Sequence, residues 1–257
     1  MRKCLVIVPF PLDDDGIANR KLQLNSVKIG PDINFEFRPV LASSSSFMSD
    51  HDWFLMEAGC FEAGLSAQDE GYDAVVIDAT SDSAASALRS VLDIPVIAPG
   101  QTSMLYALML GSSFGILAMN KAGCFSHQQW ADQRNLSQFL AAVEPISGSN
   151  TDISKLLTGQ EEEMFPLMKI AAEKAISKGA DVILLGSTTM HQAGNWLNEN
   201  LSVPVVNPGP LTYKIVETIL SLGHTHSRKS FPSPEVNKAG MIHAMMTAAA
   251  NYEKNKK

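Results

Sequence analysis

The stretch DVILLGSTTMH, Asp181–His191, decides the fold. Val182–Leu185 is a run of four apolar residues, too short for a helix. Before it a helix-like segment closes at Gly179, and after it comes the hydroxyl-rich Ser187-Thr188-Thr189. A short, wholly apolar run bounded in this way predicts a strand buried on both faces, as in a parallel sheet flanked by helices. Open α/β sheets bind ligands at the carboxyl ends of their strands. A hydroxyl loop at that end, leading into a helix N-terminus, suits a small anion.

The same unit occurs earlier. GYDAVVIDATSD (Gly71–Asp82) aligns with GADVILLGSTTM (Gly179–Met190), so that Asp73 matches Asp181 and Thr80 matches Thr188 at one offset of 108 residues. Further on, IPVIAPG (Ile94–Gly100) aligns with VPVVNPG (Val203–Gly209) after one inserted residue. Any doubly wound protein repeats βα units, but the shared Pro-Gly and the nearly constant offset point to duplication. The predicted fold class is α/β: two pseudo-symmetric Rossmann-like lobes with parallel sheets, a duplicated core and a cleft between the lobes. Residues 1–100 with 211–257 are expected to form the first lobe and 101–210 the second.

The rest of the chain fits this plan. Cys4–Val8, ended by Pro9 and Pro11, reads as a first buried strand, not as a signal peptide, because no small-residue cleavage site follows. Phe35, Phe37 and Val40 alternate with polar residues as a second strand. Phe54, Ala58, Phe61 and Leu65 lie on one face of a predicted helix, capped by Ser49 or Asp50. Ser103–Leu110 and Ala122–Gln133 read as helices, Phe114–Ala118 and Phe139–Val143 as strands, and 150–160 as a polar connection. Met164, Met168, Ala171 and Ala175 form a helical stripe, and Lys214–Leu222 and Gly240–Tyr252 read as the last helices. The final EKNKK is expected to be a frayed tail.

Bulk composition removes several classes of function. With 257 residues, 45% of them hydrophobic, the chain can bury an ample core, and a net charge of -7 gives no footing for nucleic acid. No apolar run is long enough to span a membrane. Three scattered cysteines, Cys4, Cys60 and Cys124, do not make a disulfide framework, and a reducing, cytoplasmic setting is expected. No P-loop or GxGxxG fingerprint appears, so no nucleotide cofactor is implied.

The order of elements, the repeated Gly-x-Asp-strand unit, the Pro-Gly after each short strand and the GHTHSRKSF segment (223–231) together resemble the aspartate/glutamate/hydantoin racemase superfamily. Its hydantoin and allantoin racemase branch looks closest, and the resemblance covers nearly the whole chain. It implies two lobes with the active site between them, a small-molecule substrate and a homo-oligomer. It also implies two catalytic cysteines, one at the end of each repeat's first strand. The repeat alignment puts those positions at Ala79 and Ser187, neither a cysteine. A methyl group carries no proton, and a serine hydroxyl is a far weaker acid than a thiol. The Asn-Pro-Asn signature that the resemblance leads one to seek after the first strand is replaced by Val8-Pro9-Phe10, and Phe10 is expected to line the substrate site.

Catalytic roles are therefore expected of Ser187, His191 and Asp78, and substrate contact of Thr80, Ser81, Asp82, Thr188, Thr189 and Phe10. Each has a plainer reading. Ser187–Thr189 and Asp82 can be helix caps. His191, a candidate base near neutral pH, can be a structural first-turn histidine. Asp78 could act as an acid or base if burial raised its pKa, or could face the neighbouring loop. His224 and His226 form an HxH pair with no third ligand in view, so no metal is expected. Cys124 is either a relocated thiol or a small buried hydrophobe. The predicted function is a cofactor-independent racemase or isomerase acting through a non-cysteine acid/base on a small carboxylate or a cyclic amide such as a hydantoin. A hydrolase, ring-opening enzyme or decarboxylase on a related substrate is the alternative. A catalytically dead, ligand-binding paralogue is the reading from another class.

Overall fold

The computed structural model describes residues 1–146, 153–156 and 160–255. Most of the predicted connection 150–160, and the last two residues of the tail, lie outside these. The chain divides into two compact units, Met1–Ala98 with Thr212–Lys257, and Pro99–Leu211. No described helix is long and apolar enough to cross a membrane.

The first unit runs β1 (Arg2–Val8), α1 (Asp14–Lys21), β2 (Ile33–Pro39), α2 (Asp50–Gly64), β3 (Ala74–Ile77), α3 (Ala85–Val91) and β4 (Val96–Ile97). The second runs α4 (Pro99–Ala107), β5 (Phe114–Ala118), α5 (Lys121–Gln133), β6 (Leu140–Pro145), α6 (Phe165–Ser177), β7 (Val182–Leu185), α7 (Ala193–Asn200) and β8 (Val205–Val206). Then come α8 (Pro208–Leu222), which begins in the second unit's sequence and ends in the first, and α9 (Ala239–Lys254). Each unit holds one four-stranded parallel sheet, ordered β2-β1-β3-β4 in the first and β6-β5-β7-β8 in the second.

Strand registers express the duplication. Leu5 pairs with Val75, which pairs with Val96; Gly115 pairs with Ile183, which pairs with Val205. The frame shared by the two units also explains the repeated Gly-x-Asp. Gly71 and Gly179 have φ of +81° and +101°, a left-handed conformation in which a side chain would be strained. Two residues on, Asp73 Oδ2 accepts from Lys3 N at 2.7 Å and Asp181 Oδ2 from Ser112 N at 3.0 Å, fixing each strand's entry beside its neighbour. The short strands are held alike, Arg89 Nε donating to Val96 O and Asn198 Nδ2 to Val205 O.

Both faces of each sheet are covered, which is why the central strands are apolar throughout. Ile183 and Leu185 pack with Met168, Ala171 and Leu197 on one face, while Val182 and Leu184 pack with Met104 and Ala107 on the other. In the first unit Leu5, Ile7, Val75 and Ile77 meet α2 and α3, and Cys4, Val6 and Val76 meet Tyr213 and Val216 of α8. The predicted stripe of α2 needs correction. Phe54 is exposed, and the buried face carries Met56, Gly59, Cys60, Ala63 and Gly64. A Cβ on Gly59 would come within 2.5 Å of Ala42 O, so the helix docks through small residues and turns its large ones outward.

Candidate functional site

Each unit places a hydroxyl loop at the carboxyl end of its third strand in chain order. In the second unit Gly186 N donates to Leu117 O at 2.9 Å, carrying the β5–β7 pairing one step past the strand. Ser187 follows in extended conformation and caps a 3-10 turn, Thr188–Met190. Its Oγ accepts from Thr189 N at 3.2 Å and lies 2.8 Å from Thr189 Oγ1. The capping expected of Ser187 is thus present, and the same atom belongs to a hydroxyl pair. Two hydroxyls bring two protons, of which the contact between them uses one. Ser187 is half-buried, whereas Thr188, Thr189 and Met190 are buried, Met190 within the apolar core. His191 ends the turn with 4% of its surface exposed, and its carbonyl accepts from Asn207 Nδ2 at 2.6 Å.

Behind this loop sits His127 of α5, which the sequence reading passed over. Its ring is buried, meets Trp130 edge-on at 4.9 Å and hydrogen-bonds the backbone of Gly186. Burial, helped by the Arg134 charge, pushes the imidazole down to about 4 against the opposing pull of that hydrogen bond, so it is neutral at pH 7. A Cβ at position 186 would lie 2.8 Å from His127 Nε2 and closer still to Leu117 O, so only glycine fits there.

In the first unit Asp78 follows β3, and its side chain is buried with Arg20. Arg20 Nε donates to Asp78 Oδ2 at 2.9 Å and Nη2 to Oδ1 at 3.1 Å, while Gln23 Nε2 approaches both oxygens at 3.2 and 3.3 Å. The Asp78 oxygens are engaged by a guanidinium and an amide. Arg20 and Gln23 were invisible to motif reading because their partner lies 58 and 55 residues away.

The first loop, Thr80–Ser83, has its own hydroxyl pair, Ser81 Oγ and Ser83 Oγ at 2.7 Å. Thr80, Ser81 and Asp82 are half-buried. Asp82 and Ala84 both adopt positive φ, 59° and 63°. Left-handed conformations of non-glycine residues cost on the order of 1 kcal/mol each and persist where surrounding structure imposes them. Asp82 is not the cap of α3, whose N-cap is Ala84 with no side-chain bond. Phe10, after β1, packs edge-on against Phe47 at 5.3 Å, and Phe47 against Trp53, an aromatic cluster at the sheet's carboxyl end.

The other candidates fall away from the loops. Cys4 and Cys60 are buried and burial pushes their thiols far up; Cys124 is half-buried and raised by burial and Glu144. Beside Cys124 the Lys178 charge pulls the other way without offsetting them. His224 is exposed, and His226 packs edge-on against Phe231. Among the described residues no group of three His, Cys, Asp or Glu could hold a metal ion.

Known proteins place this architecture. The hydantoin racemase of Pseudomonas sp. (strain NS671) is 25% identical over 193 residues, 74% of this chain and 76% of that protein. The allantoin racemase from Klebsiella pneumoniae shares the fold with a TM-score of 0.82 at 22% identity, over 92% of this chain and 95% of the other. Arylmalonate decarboxylase shares it at 0.58 and 16% identity, over 86% and 94%. Residues 27–215 match the Asp/Glu/hydantoin racemase family, most of the chain, and the chain belongs to that family.

Proposed function

We propose that this protein is a cofactor-independent isomerase that exchanges the proton on a carbon next to a carbonyl, in a small cyclic amide such as a hydantoin or in a small carboxylate. The observation that carries the reading is the Ser187–Thr189 hydroxyl pair at the strand end of a family member. Removing a proton beside a carbonyl puts negative charge on the carbonyl oxygen, and a preorganised hydroxyl donor is what that charge needs. The spare proton of the pair fills that role. His191, buried four residues after Ser187, supplies the imidazole that takes the carbon-bound proton, and the planar enolate so formed is reprotonated by the imidazolium on that face or by solvent on the other, which scrambles the centre. Thr80, Ser81 and Asp82 hold the substrate's polar groups, and Phe10 its apolar part.

The second reading is a one-base reaction such as decarboxylation. It is favoured by Ala79, which has no proton to deliver where its repeat partner Ser187 has a hydroxyl. Incubation in deuterated water separates the two. One enantiomer of a 5-monosubstituted hydantoin is supplied, and the recovered material is analysed by proton NMR and chiral chromatography. Loss of optical purity with deuterium entering the 5-position, slowed on the order of a hundredfold or more in His191→Ala, is the expected result. Clean conversion to a new product with that hydrogen unexchanged overturns the isomerase in favour of the alternative.

A further inference from the structure

Asp78 and Gly186 are repeat partners at the same 108-residue offset as Asp73 and Asp181. Each is the residue between the end of a strand and a position, Ala79 or Ser187, that opens a hydroxyl loop. Each is met by one buried side chain from the helix that follows the unit's first strand: Arg20 of α1 in the first, His127 of α5 in the second. The chemistry differs, an ion pair in one and a neutral imidazole on a peptide in the other, but the place is the same. We propose that His127 is a positioning residue that fixes the Gly186–Ser187 peptide and so aims the Ser187–Thr189 hydroxyl pair, as Arg20 through Asp78 fixes the start of the Thr80–Ser83 loop. This rests on Ser187 belonging to the reaction site.

Three features make His127 a brace and not mere filling. Its ring is buried and lies edge-on to Trp130, which limits its rotation. Position 186 lacks a side chain, and a Cβ there would collide with the imidazole, so peptide and ring are fitted to each other. The next residue spends its Oγ on Thr189 N, so a turn of the 186–187 peptide would carry the hydroxyl pair with it. A neutral brace also puts no charge behind a hydroxyl that must donate to an oxyanion.

The test compares His127→Gln, which keeps an N–H donor, with His127→Phe, which keeps a ring and loses the donor. Hydrogen–deuterium exchange by mass spectrometry over residues 183–193 reads the brace without any substrate. Exchange there is expected to be at least about tenfold faster in His127→Phe and near wild type in His127→Gln, the sheet strands elsewhere being unchanged. On the single-enantiomer hydantoin, kcat of His127→Phe is expected to fall on the order of tenfold to a hundredfold with KM within a few-fold, partly restored in His127→Gln. Should His127→Phe not fold, His127→Asn, polar but too short to reach, replaces it in both measurements. Unchanged exchange over 183–193 in a folded variant without the donor overturns the brace. If the wild type and Ser187→Ala turn the probe over equally, the site reading fails, and the exchange measurement still decides whether His127 holds the loop.

Discussion

Asp78→Asn swaps a buried carboxylate for an amide of the same size, and the structure sets the cost. The carboxylate accepts from Arg20 Nε and Nη2 and from Gln23 Nε2, all donors. An asparagine side chain offers one oxygen and one NH2, so one edge of the site becomes N–H against N–H. Arg20 stays charged with its side chain 5% exposed. Two charges about 4 Å apart attract by about 4 kcal/mol at an effective dielectric constant of 20, in line with the roughly 3–5 kcal/mol lost when one partner of a buried pair is removed. At roughly 2–4 °C per kcal/mol for a protein of this size, the melting point should fall by about 10 °C. The assay is urea unfolding followed by Trp53 fluorescence with Trp130 and Trp196 replaced by Phe, so that the reporter lies in the first unit. Arg20→Met should cost a similar amount. The double variant should cost less than the two singles together by roughly 2–3 kcal/mol, because it removes both charges. A loss under about 1 kcal/mol in Asp78→Asn, joined to a collapse of turnover in a folded protein, would refute the reasoning and return Asp78 to the reacting groups.

Other perturbations follow from the same geometry. His127 is lowered from 6.5 to about 4 in the folded protein, so the unfolded chain takes up a proton first as the pH drops. Its share of stability is therefore whole above about pH 6.5 and lost as pH falls towards 4, on the order of 3 kcal/mol, and urea midpoints of His127→Gln should be flatter than wild type across that window. Gly186→Ala forces a methyl group against Leu117 O and His127, and should cost about 1–3 kcal/mol by thermal melting while slowing turnover more than Ser187→Thr does. Arg228 donates to Arg89 O at 2.7 Å and to Asp93, tying the 223–231 segment to the end of α3; Arg228→Ala should speed limited proteolysis within 224–238 severalfold, leaving activity unchanged.

The fold was legible because its signals are local. Short apolar runs preceded closely by a glycine mark β3, β5 and β7, and the offset of 108 marks the duplication without any long-range contact being known. The stripe on α2 misled because hydrophobicity favours Phe54, whereas the close approach of the helix to Ala42 selects Gly59; sequence carries no record of that distance. The hydroxyl loops follow β3 and β7 in the structure, and the pairing of their hydroxyls had no signal in the sequence. What stayed hidden were the side chains beneath them. Arg20, Gln23 and His127 reach their partners across tens of residues, and a lone histidine on a helix has no pattern to set it apart. The repeat offset was the one usable signal. It makes Asp78 the counterpart of Gly186, a residue with no side chain.

That correspondence bears on how a member of this family could work with alanine at one repeat position and serine at the other. The frame is duplicated closely, down to the aspartates at the strand entries and the side chains that hold the short strands. Divergence is concentrated at positions 78–79 and 186–187. One unit has a fixed ion pair followed by a methyl group; the other has a neutral brace followed by a hydroxyl. Had both loops lost their proton-bearing groups while the braces eroded, a ligand-binding relic would be the simplest account. Instead each loop keeps a braced start and a hydroxyl pair, Ser81–Ser83 and Ser187–Thr189, and left-handed strain persists at Asp82 and Ala84. Maintaining a strained loop and a desolvated ion pair costs stability that a simple apolar replacement would not. In the proposed reading, the methyl group of Ala79 and the hydroxyl of Ser187 leave one of the two repeat positions without a proton to deliver.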